Sequence, residues 1–295
     1  MPDEFVMRPV RAEDKARILD FTAHTWGEDD GDYIQYVFDD WLIDPRGEFT
    51  AIELNGQVIG IGKLTDQDES EWWLEGLRIA APYRQHGAGA AFIRYQVDLA
   101  RRLGGQVVRY MTGSENTGSQ RLGARNGFQH ILTYFSCAAA ANADAPLPDL
   151  LTPSDLPALK PWLDSPLMRH TRGLCRFGWS VRKLKEPDLA RAIESARVYG
   201  VRDRSDRITA WAVLRSPNDD EDEGGESRLK IDHIDGESGA IVSLAKSMQA
   251  LAASHHRETA AHGAVDFGPL QQAMAQAAYQ ADPDQHGLWV LELKL

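Results

Sequence analysis

The chain has 295 residues, of which 43% are hydrophobic and 26% are charged, and its formal net charge at pH 7 is −12. This length is about twice that of a typical domain, so we expect one or two compact domains. The negative net charge argues against a nucleic-acid-binding surface, because such a surface needs clustered Lys and Arg. Any site that binds an anion is therefore expected to be confined to a small part of the surface.

The cysteine content and the hydropathy of the sequence indicate in which cellular compartment the protein is located. Only Cys137 and Cys175 occur, so a disulfide framework is not indicated, although the sequence is compatible with one bridge. No run of eighteen apolar residues is present, and the N-terminus lacks a basic start followed by an apolar core. We expect no membrane span, no secretion and a cytoplasmic location.

The first predicted elements are a strand and two helices. Residues 5–9 favour a short strand, and residues 12–26 favour a helix with acidic residues in its first turn. Residues 32–45 favour a second helix, because four apolar residues share one face and Pro45 ends the run. These four are Ile34, Val37, Phe38 and Trp41.

An antiparallel sheet is predicted next. Residues 48–64 contain two apolar runs around Asn55-Gly56, a dipeptide that suits a type I′ hairpin. Residues 70–81 (SEWWLEGLRIAA) favour a third strand, in which Gly76 indicates a bulge or a close backbone approach. The period of two places four of its side chains on one face: Trp73, Glu75, Leu77 and Ile79.

A long amphipathic helix follows this strand and ends at Gly104-Gly105. A strand at 106–113 and a short helix ending at Gly127 come after it. Residues 138–155 are rich in Ala, Pro and Asp, as linkers between compact units are. The predicted domains are therefore residues 1–140 and 150–295.

The second half repeats this order, which fits a diverged copy of the first. A hairpin is predicted at 194–216, a strand at 227–236, a helix at 239–256 and a closing strand at 287–295. In this half the strand runs almost directly into the helix. No loop comparable to residues 82–88 separates them.

The junction between the third strand and the long helix has the features of an anion site. Small residues at 87–91 let the backbone approach a ligand, and the amides of the first helical turn point outward at the positive end of the helix dipole. Such a terminus binds phosphate. The glycines fit neither Gly-x-Gly-x-x-Gly nor the Walker pattern, and close packing of helix on strand is the alternative explanation for them.

Residues 84–89 (RQHGAG) match Arg/Gln-x-x-Gly-x-Gly/Ala, and Asn116, Leu122 and Gly127-Phe128 follow at suitable distances. With these motifs, residues 5 to about 135 resemble the GNAT acetyltransferases. The resemblance implies an α/β (α+β) class with the GNAT fold, a mixed and mostly antiparallel sheet flanked by helices. The second half would be a degenerate GNAT-like domain in tandem.

The resemblance also implies acetyl-CoA as cosubstrate. The amides of residues 85–90 would hold its pyrophosphate, and the strand backbone at 77–79 would hydrogen-bond the pantetheine and polarise the thioester carbonyl. Asn116 would lie near the pantetheine arm, or would instead cap the helix that follows. The implied coenzyme-binding residues are Leu77, Arg78, Ile79, Arg84, Gln85, His86, Gly87, Ala88, Gly89, Ala90 and Asn116.

Transfer to an amine requires a group that removes a proton from the ammonium, and Glu75 is the candidate base. The alternative to a catalytic role is that Glu75 lies at the edge of the cleft and forms an ion pair with Arg78 or another cation. Family members often carry a tyrosine directly after the leucine at 122, as the acid for the departing thiolate, but this chain has Gly123. Because a thiol of this kind has a pKa of about 8.5, its thiolate is a reasonably good leaving group and does not require a strong general acid.

For the acceptor, Asp29, Asp30 and Asp32 could attract a cationic amine. The alternative is a solvated acidic turn in which Asp32 caps the second helix. A looser resemblance of the first domain to histidine acetyltransferases implies a free amino acid as acceptor. The predicted function is N-acetylation of a small-molecule or protein amine, and the alternative is a catalytically silent acyl-CoA-binding regulator, which Gly123 favours.

Further expectations concern metals and partners. The histidines do not show a metal-ligand spacing, so we expect no metal; those concerned are His233, His255, His256 and His262. Because the second half lacks the phosphate loop, we expect one coenzyme site per chain. We expect an amine substrate, no nucleic-acid or membrane partner, and either a monomer with an internal pseudo-dimer or a homodimer.

Overall fold

The structure is a computed structural model that describes residues 5–23, 25, 32–68, 70–216, 227–281 and 287–295. The chain forms two compact units. Unit 1 comprises residues 1–112, 116–131 and 290–295, and unit 2 comprises residues 113–115 and 132–289. The main chain passes from unit 1 to unit 2 before the predicted linker at 138–155, and the last residues return to unit 1.

Unit 1 contains the elements expected from the first half of the sequence. In chain order they are β1 (Val6–Pro9), α1 (Lys15–Thr22), α2 (Ile34–Ile43), β2 (Gly47–Leu54), β3 (Gln57–Asp66), β4 (Glu71–Ile79), α3 (Ala88–Arg102), β5 (Val107–Gly113) and α4 (Thr117–Arg125). Asn55 and Gly56 have φ angles of 52° and 80°. These positive angles confirm the predicted type I′ hairpin between β2 and β3.

One face of the sheet in unit 1 is covered by α1 and α2. Ile34 and Phe38 of α2 are fully buried against Ile61 of β3, as the helical spacing predicts. On the opposite face α3 packs so closely that a Cβ at Gly62 would lie 2.3 Å from Phe92 Cζ. The two helical layers leave the sheet buried on both sides.

Unit 2 contains the remaining elements. They are β6 (Gln129–Ala140), inside which the two units divide, then β7 (Asp149–Leu150), α5 (Leu156–Leu159), α6 (Pro166–His170), β8 (Leu174–Phe177), β9 (Ser180–Lys183), α7 (Glu186–Glu194), β10 (Val198–Arg202), β11 (Ile208–Leu214), β12 (Arg228–Gly236), α8 (Ser238–Ser254), β13 (Thr259–Val265), α9 (Gly268–Gln276) and β14 (Gln280–Ala281). The last strand, β15 (Leu288–Lys294), lies beside β5 and adds its residues from Val290 onward to unit 1.

The two units share one sheet pattern. In unit 1 the strand order is β1-β2-β3-β4-β5, with antiparallel neighbours until the parallel pair β4 and β5. In unit 2 the order is β7-β10-β11-β12-β13, again antiparallel until the parallel pair β12 and β13. A helix joins each parallel pair, α3 in unit 1 and α8 in unit 2. The second half is therefore a structural copy of the first.

A buried ion triad connects the C-terminal strand to unit 1. Arg109 of β5 donates to Glu71 at 2.9 Å and to Glu292 of β15 at 2.7 Å, and all three side chains are at most 8% exposed. Removing one charge from such a group leaves its partners buried without compensation. The sequence predicts that the closing strand β15 belongs to the second domain, but the ion pair between Glu292 and Arg109 joins it to unit 1.

Candidate active site

Strand β4 contains the bulge predicted from Gly76. The pairing of β4 with β3 shifts register between Glu75 and Arg78, where β4 carries one extra residue. Gly76 has a φ of 66°, and a Cβ there would lie 2.5 Å from Trp41 Cη2. Only glycine satisfies both the backbone angle and the close contact with α2.

The bulge changes which side chains share a face. Glu75 lies opposite Lys63 in register, on the face that packs against α2. Leu77 lies on the other face, where its Cδ2 is 3.9 Å from the Cβ position of Gly89 in α3. The prediction that Glu75 shares a face with Leu77 and Ile79 is wrong, because one inserted residue inverts the alternation of side chains.

The parallel strands β4 and β5 separate soon after they meet. Their pairing runs from Glu71 with Val107 to Trp73 with Arg109. Beyond Trp73, β4 continues to Ile79 outside its pairing with β5. Unpaired backbone groups on a strand edge can bind an extended ligand as an added strand.

Helix α3 begins beside the end of β4. Its N-cap is Gly87, with a φ of 90°, and the N–H of Ala91 donates to the Gly87 carbonyl at 3.0 Å. The N–H groups of residues 87–90 precede this first helical bond, so the helix offers them no acceptor. No acidic residue lies in the first turn. The terminus therefore presents four amide donors and a positive dipole end to an anion.

The loop before α3 is tied to the strand and leaves its amides accessible. Arg84 Nε donates to the Ile79 carbonyl at 3.0 Å, and Gln85 takes a left-handed φ of 67°. Residues 84–87 are exposed. At Gly89 a Cβ would lie 3.2 Å from Leu122 Cδ2 of α4, so a side chain there would press against α4. The residues present thus fit a pyrophosphate group.

Charged side chains surround Glu75. Thr65 Oγ1 donates to Glu75 Oε1 at 2.8 Å. Lys63, opposite it, is 1% exposed and places Nζ 3.0 Å from Asp44 Oδ2. Burial opposes ionisation of Asp44, but hydrogen bonds from Arg46 and Lys63 outweigh it and lower the pKa of Asp44 to about 2. The only sequence signal for this cluster was a lysine inside the apolar run of β3.

Asp32 is not available to a cationic substrate. Its Oδ2 accepts from Arg78 Nε at 2.6 Å, its side chain is 1% exposed, and its Oδ1 accepts from the N–H of Ile34 at the start of α2. Arg78 also lies over the Tyr33 ring, 5.3 Å from its centroid. The bond from Ile34 agrees with the helix-capping part of the alternative, but Asp32 is buried in an ion pair with Arg78 rather than part of a solvated turn. Asp29 and Asp30 lie outside the described residues.

Asn116 acts as the cap of α4. Its side-chain oxygen accepts from the N–H of Ser119 at 3.0 Å. This is the helix-capping role that the sequence offers as the alternative to a contact with the coenzyme. The residue is exposed. Its amide group therefore has a structural role whether or not a ligand lies nearby.

Tyr110 of β5 fills the space beside Gly123. A Cβ at Gly123 would lie 2.0 Å from Tyr110 Oη, which donates to the Ser119 carbonyl at 3.0 Å. Burial raises the pKa of Tyr110 to about 12, so the hydroxyl stays protonated at neutral pH. A tyrosine from a strand thus occupies the place that a side chain at position 123 would take. Sequence reasoning missed it, because the two positions meet only in the folded chain.

We expect Gly123→Ala to destabilise the protein by about 1–3 kcal/mol, because the new methyl group would displace Tyr110 from α4. The matched control is Gly118→Ala in the same helix. There a Cβ would meet only Asn116 Oδ1, at 3.6 Å, so this change is expected to be neutral or slightly stabilising. Urea unfolding followed by circular dichroism measures both. Equal midpoints for the two variants would contradict the close contact at Gly123.

Unit 2 has no counterpart of the loop at 84–87. Strand β12 ends at Gly236 and α8 begins at Ser238, so a single residue, Glu237, connects them. Glu237 is the N-cap of α8 and binds Arg207 at 2.7 Å. A carboxylate at the helix terminus would repel phosphate. This geometry supports the expectation of one coenzyme site per chain.

The described part of the chain contains neither a metal-binding cluster nor a helix able to span a membrane. There, no cluster of three or more His, Cys, Asp or Glu side chains is arranged to hold a metal ion. Its helices are each too short or too polar to cross a bilayer. Cys137 and Cys175 are free and buried, so they do not form the bridge that the sequence left open.

Residues 15–128 match the sequence model of the acetyltransferase (GNAT) family. The whole chain is also similar to solved structures at low identity. A GCN5-related N-acetyltransferase from Sphaerobacter thermophilus has 13% identity and a TM-score of 0.66, over 100% of this chain and 96% of that chain. One from Kribbella flavida has 14% identity and a TM-score of 0.58, over 100% and 72%. No curated protein matches the chain significantly.

Similarity to a solved protein with two GNAT domains in tandem supports the division of this chain into two units of the same fold. The tandem GNAT protein from the clavulanic acid biosynthesis pathway has 13% identity and a TM-score of 0.57, over 99% of this chain and 98% of that chain. Likeness at this identity establishes architecture and leaves chemistry open. The repeated sheet pattern and the structural likenesses together show that the chain has the GNAT fold in tandem, and residues 15–128 of the first copy are the ones that match the acetyltransferase (GNAT) family.

Proposed function

We propose that unit 1 is an acetyl-CoA-dependent N-acetyltransferase that acts on a primary amine of a small molecule or a protein. The observation that carries this proposal is the adjacency of two features: the amide-rich terminus of α3 and the end of β4, where that strand has separated from β5. An anion site next to a strand that has separated from its neighbour suits a cosubstrate that has a pyrophosphate and an amide-containing arm.

The roles proposed for the residues are those that the resemblance to GNAT acetyltransferases implies. The N–H groups of residues 85–90 would bind the pyrophosphate oxygens, with Gly87 and Gly89 allowing the close approach. The backbone of Leu77 to Ile79 would hydrogen-bond the pantetheine amides and polarise the thioester carbonyl. Acetyl-CoA supplies the activated acetyl group when it is bound.

Glu75 is proposed as the base. The ammonium must lose a proton before its nitrogen can attack the thioester carbon, and a carboxylate directly or through water can accept that proton. Attack forms the amide bond and breaks the carbon–sulfur bond, and the proton that the nitrogen loses as it becomes an amide passes to the departing thiolate, which leaves as the CoA thiol. The charged residues around Glu75, among them Lys63 and Asp44, place a polar site on the α2 side of the bulge, where an amine could be bound.

The acceptor is proposed to be a free amino acid or another small amine, with a protein amine as the wider class. The looser resemblance to histidine acetyltransferases and the net charge of −12 support a cationic acceptor over nucleic acid. Asp29 and Asp30 remain candidates for attracting it. Asp32 does not, because Arg78 neutralises it. The free, buried cysteines support a reducing compartment such as the cytoplasm.

A second candidate is a catalytically silent acyl-CoA-binding regulator. The observation that favours it is Gly123, beside which Tyr110 is buried and hydrogen-bonded to Ser119 rather than presented as a proton donor. Binding would then be retained without turnover.

Calorimetric titration of the purified chain with acetyl-CoA, followed by a thiol-release assay over histidine, other amino acids and polyamines, tests both proposals. We expect one site per chain and turnover on at least one amine. Saturable binding without release of CoA from any amine would favour the regulator. Absence of binding would overturn the assignment of residues 84–90.

A further inference from the structure

A local positive patch borders the anion site of unit 1. The two segments that meet at this site, residues 76–97 and 116–131, contain no Asp or Glu, although the chain has 44 of these residues. They do contain exposed arginines, namely Arg84, Arg94, Arg121 and Arg125. Since the chain as a whole has a net charge of −12, this surface is opposite in sign to the protein that carries it.

Helix α4 lies against the start of α3. Leu122 Cδ2 is 3.2 Å from the position that a Cβ would take at Gly89, in the first turn of α3. The next residue, Gly123, faces β5, where a Cβ would lie 2.0 Å from Tyr110 Oη. These two contacts fix the rotation of α4 about its own axis.

This rotation places two arginines on the solvent side of α4, next to α3. At 3.6 residues per turn, Arg121 and Arg125 lie within about 100° of Leu122 around the helix, on the side away from Gly123. Because they are four residues apart, they are neighbours on the helix surface. Both are exposed. One precedes and the other follows the level at which Leu122 contacts α3.

The described part of the protein does not neutralise these two charges. Among the described residues, none forms an ion pair or a side-chain hydrogen bond with Arg121 or Arg125. By contrast, Arg101 at the other end of α3 is bound to Asp98 at 2.8 Å. Like charges four residues apart destabilise a helix slightly, and an anion that bridges them relieves this repulsion. The pair therefore suits an anionic group that lies beside the start of α3.

Acetyl-CoA has such a group in addition to its pyrophosphate. The 3′-phosphate is a monoester on the ribose, and the ribose is attached directly to the pyrophosphate. A phosphate monoester has a charge of about −1.5 to −2 at pH 7 and accepts hydrogen bonds through three oxygens. Guanidinium groups match the geometry of phosphate and form paired hydrogen bonds with it. With the pyrophosphate at residues 85–90, the adjoining ribose lies close to α4.

We propose that Arg121 and Arg125 bind the 3′-phosphate of acetyl-CoA and make unit 1 selective for acetyl-CoA over acetyl-3′-dephospho-CoA. This assignment rests on the proposed function of unit 1 and adds a specificity determinant to it. The two arginines take no part in acetyl transfer, because the 3′-phosphate and the thioester are at opposite ends of the cosubstrate.

Calorimetric titration with the two cosubstrate forms tests the proposal. We expect the wild-type chain to bind acetyl-CoA about 10-fold more tightly than acetyl-3′-dephospho-CoA, as charge-assisted hydrogen bonds to one phosphate imply. In the double variant Arg121→Gln/Arg125→Gln this ratio should fall to about 2-fold or less. Damage to α4 would weaken the binding of both forms and leave the ratio unchanged, so the ratio separates ligand binding from a structural role.

The matched control is Arg101→Gln/Arg102→Gln, which removes the same charge from the last turn of α3. At 1.5 Å per residue these positions are about 20 Å from the start of the helix, or roughly twice the screening length in 0.1 M salt. The control should keep the wild-type ratio. Equal affinities of the wild-type chain for the two forms, or the same ratio in both double variants, would overturn this proposal and leave the acetyl-CoA site intact. Failure of both forms to bind would overturn the proposed function as well.

Discussion

Replacing Gly89 by glutamate is expected to abolish acetyl-CoA binding. The new carboxylate would lie in the first turn of α3, among the amides that we assign to the pyrophosphate. Two like charges about 4 Å apart repel by roughly 4 kcal/mol at an effective dielectric constant of about 20, which corresponds to an increase in Kd on the order of 1,000-fold. The same charge stabilises the helix through its dipole, so the fold is expected to persist.

The matched control is Gly239→Glu. Gly239 is the second residue of α8, as Gly89 is of α3, and a Cβ there would meet nothing within 4 Å. Calorimetry should therefore show normal acetyl-CoA affinity for Gly239→Glu and none for Gly89→Glu, with similar far-UV circular dichroism for both. If Gly89→Glu kept its affinity, the glycines at 87 and 89 would have to be explained by helix packing alone.

Replacing Glu75 by glutamine is expected to lower kcat by roughly 10²–10⁴-fold, the usual contribution of a general base. Acetyl-CoA affinity should change little, because Glu75 lies on the α2 face, away from α3. The glutamine oxygen can still accept from Thr65, so the hydrogen bond of 2.8 Å is kept and the variant should fold. Steady-state kinetics on the best amine of the panel, with calorimetry for acetyl-CoA, measures both quantities.

Glu48→Gln provides the comparison. Glu48 of β2 also accepts from a threonine hydroxyl, that of Thr50 at 2.6 Å, and from Tyr95 at 2.9 Å, but it has no proposed part in catalysis. We expect its kcat to stay within about 2-fold of the wild-type value. Equal rates for Glu75→Gln and wild type would remove Glu75 as the base and would direct attention to a water-mediated or neighbouring group.

Local patterns in the sequence were sufficient for most of the elements. The type I′ hairpin followed from Asn55-Gly56, because that dipeptide tolerates two positive φ angles. The buried face of α2 followed from its 3.6-residue spacing. The glycines at 87 and 89 indicated the anion site, because the start of a helix and the lack of side chains are both local properties. These signals do not depend on which distant segments pack together.

The face of β4 on which the Glu75 side chain lies could not be predicted from local sequence patterns. The alternation of side chains along a strand is a local rule, but Gly76 inserts a residue whose place is set by pairing with β3 and by contact with Trp41. Gly76 indicates the bulge from the sequence alone, and the alternation of side chains does not continue across it. A prediction of faces has to stop at a suspected bulge, since one extra residue exchanges the two faces.

The sequence by itself determined the order of elements, the repeat between the two halves and the glycine-containing junction at 84–89, because short-range periodicity and backbone freedom encode them. Only the tertiary structure decided that Arg78 neutralises Asp32, that Tyr110 occupies the space beside Gly123, and that β15 joins unit 1 through Glu292 and Arg109. It also brought α4, with Arg121 and Arg125, against the start of α3. These arrangements join residues that are between 13 and 183 positions apart, and packing and charge burial, rather than any local pattern, select such partners.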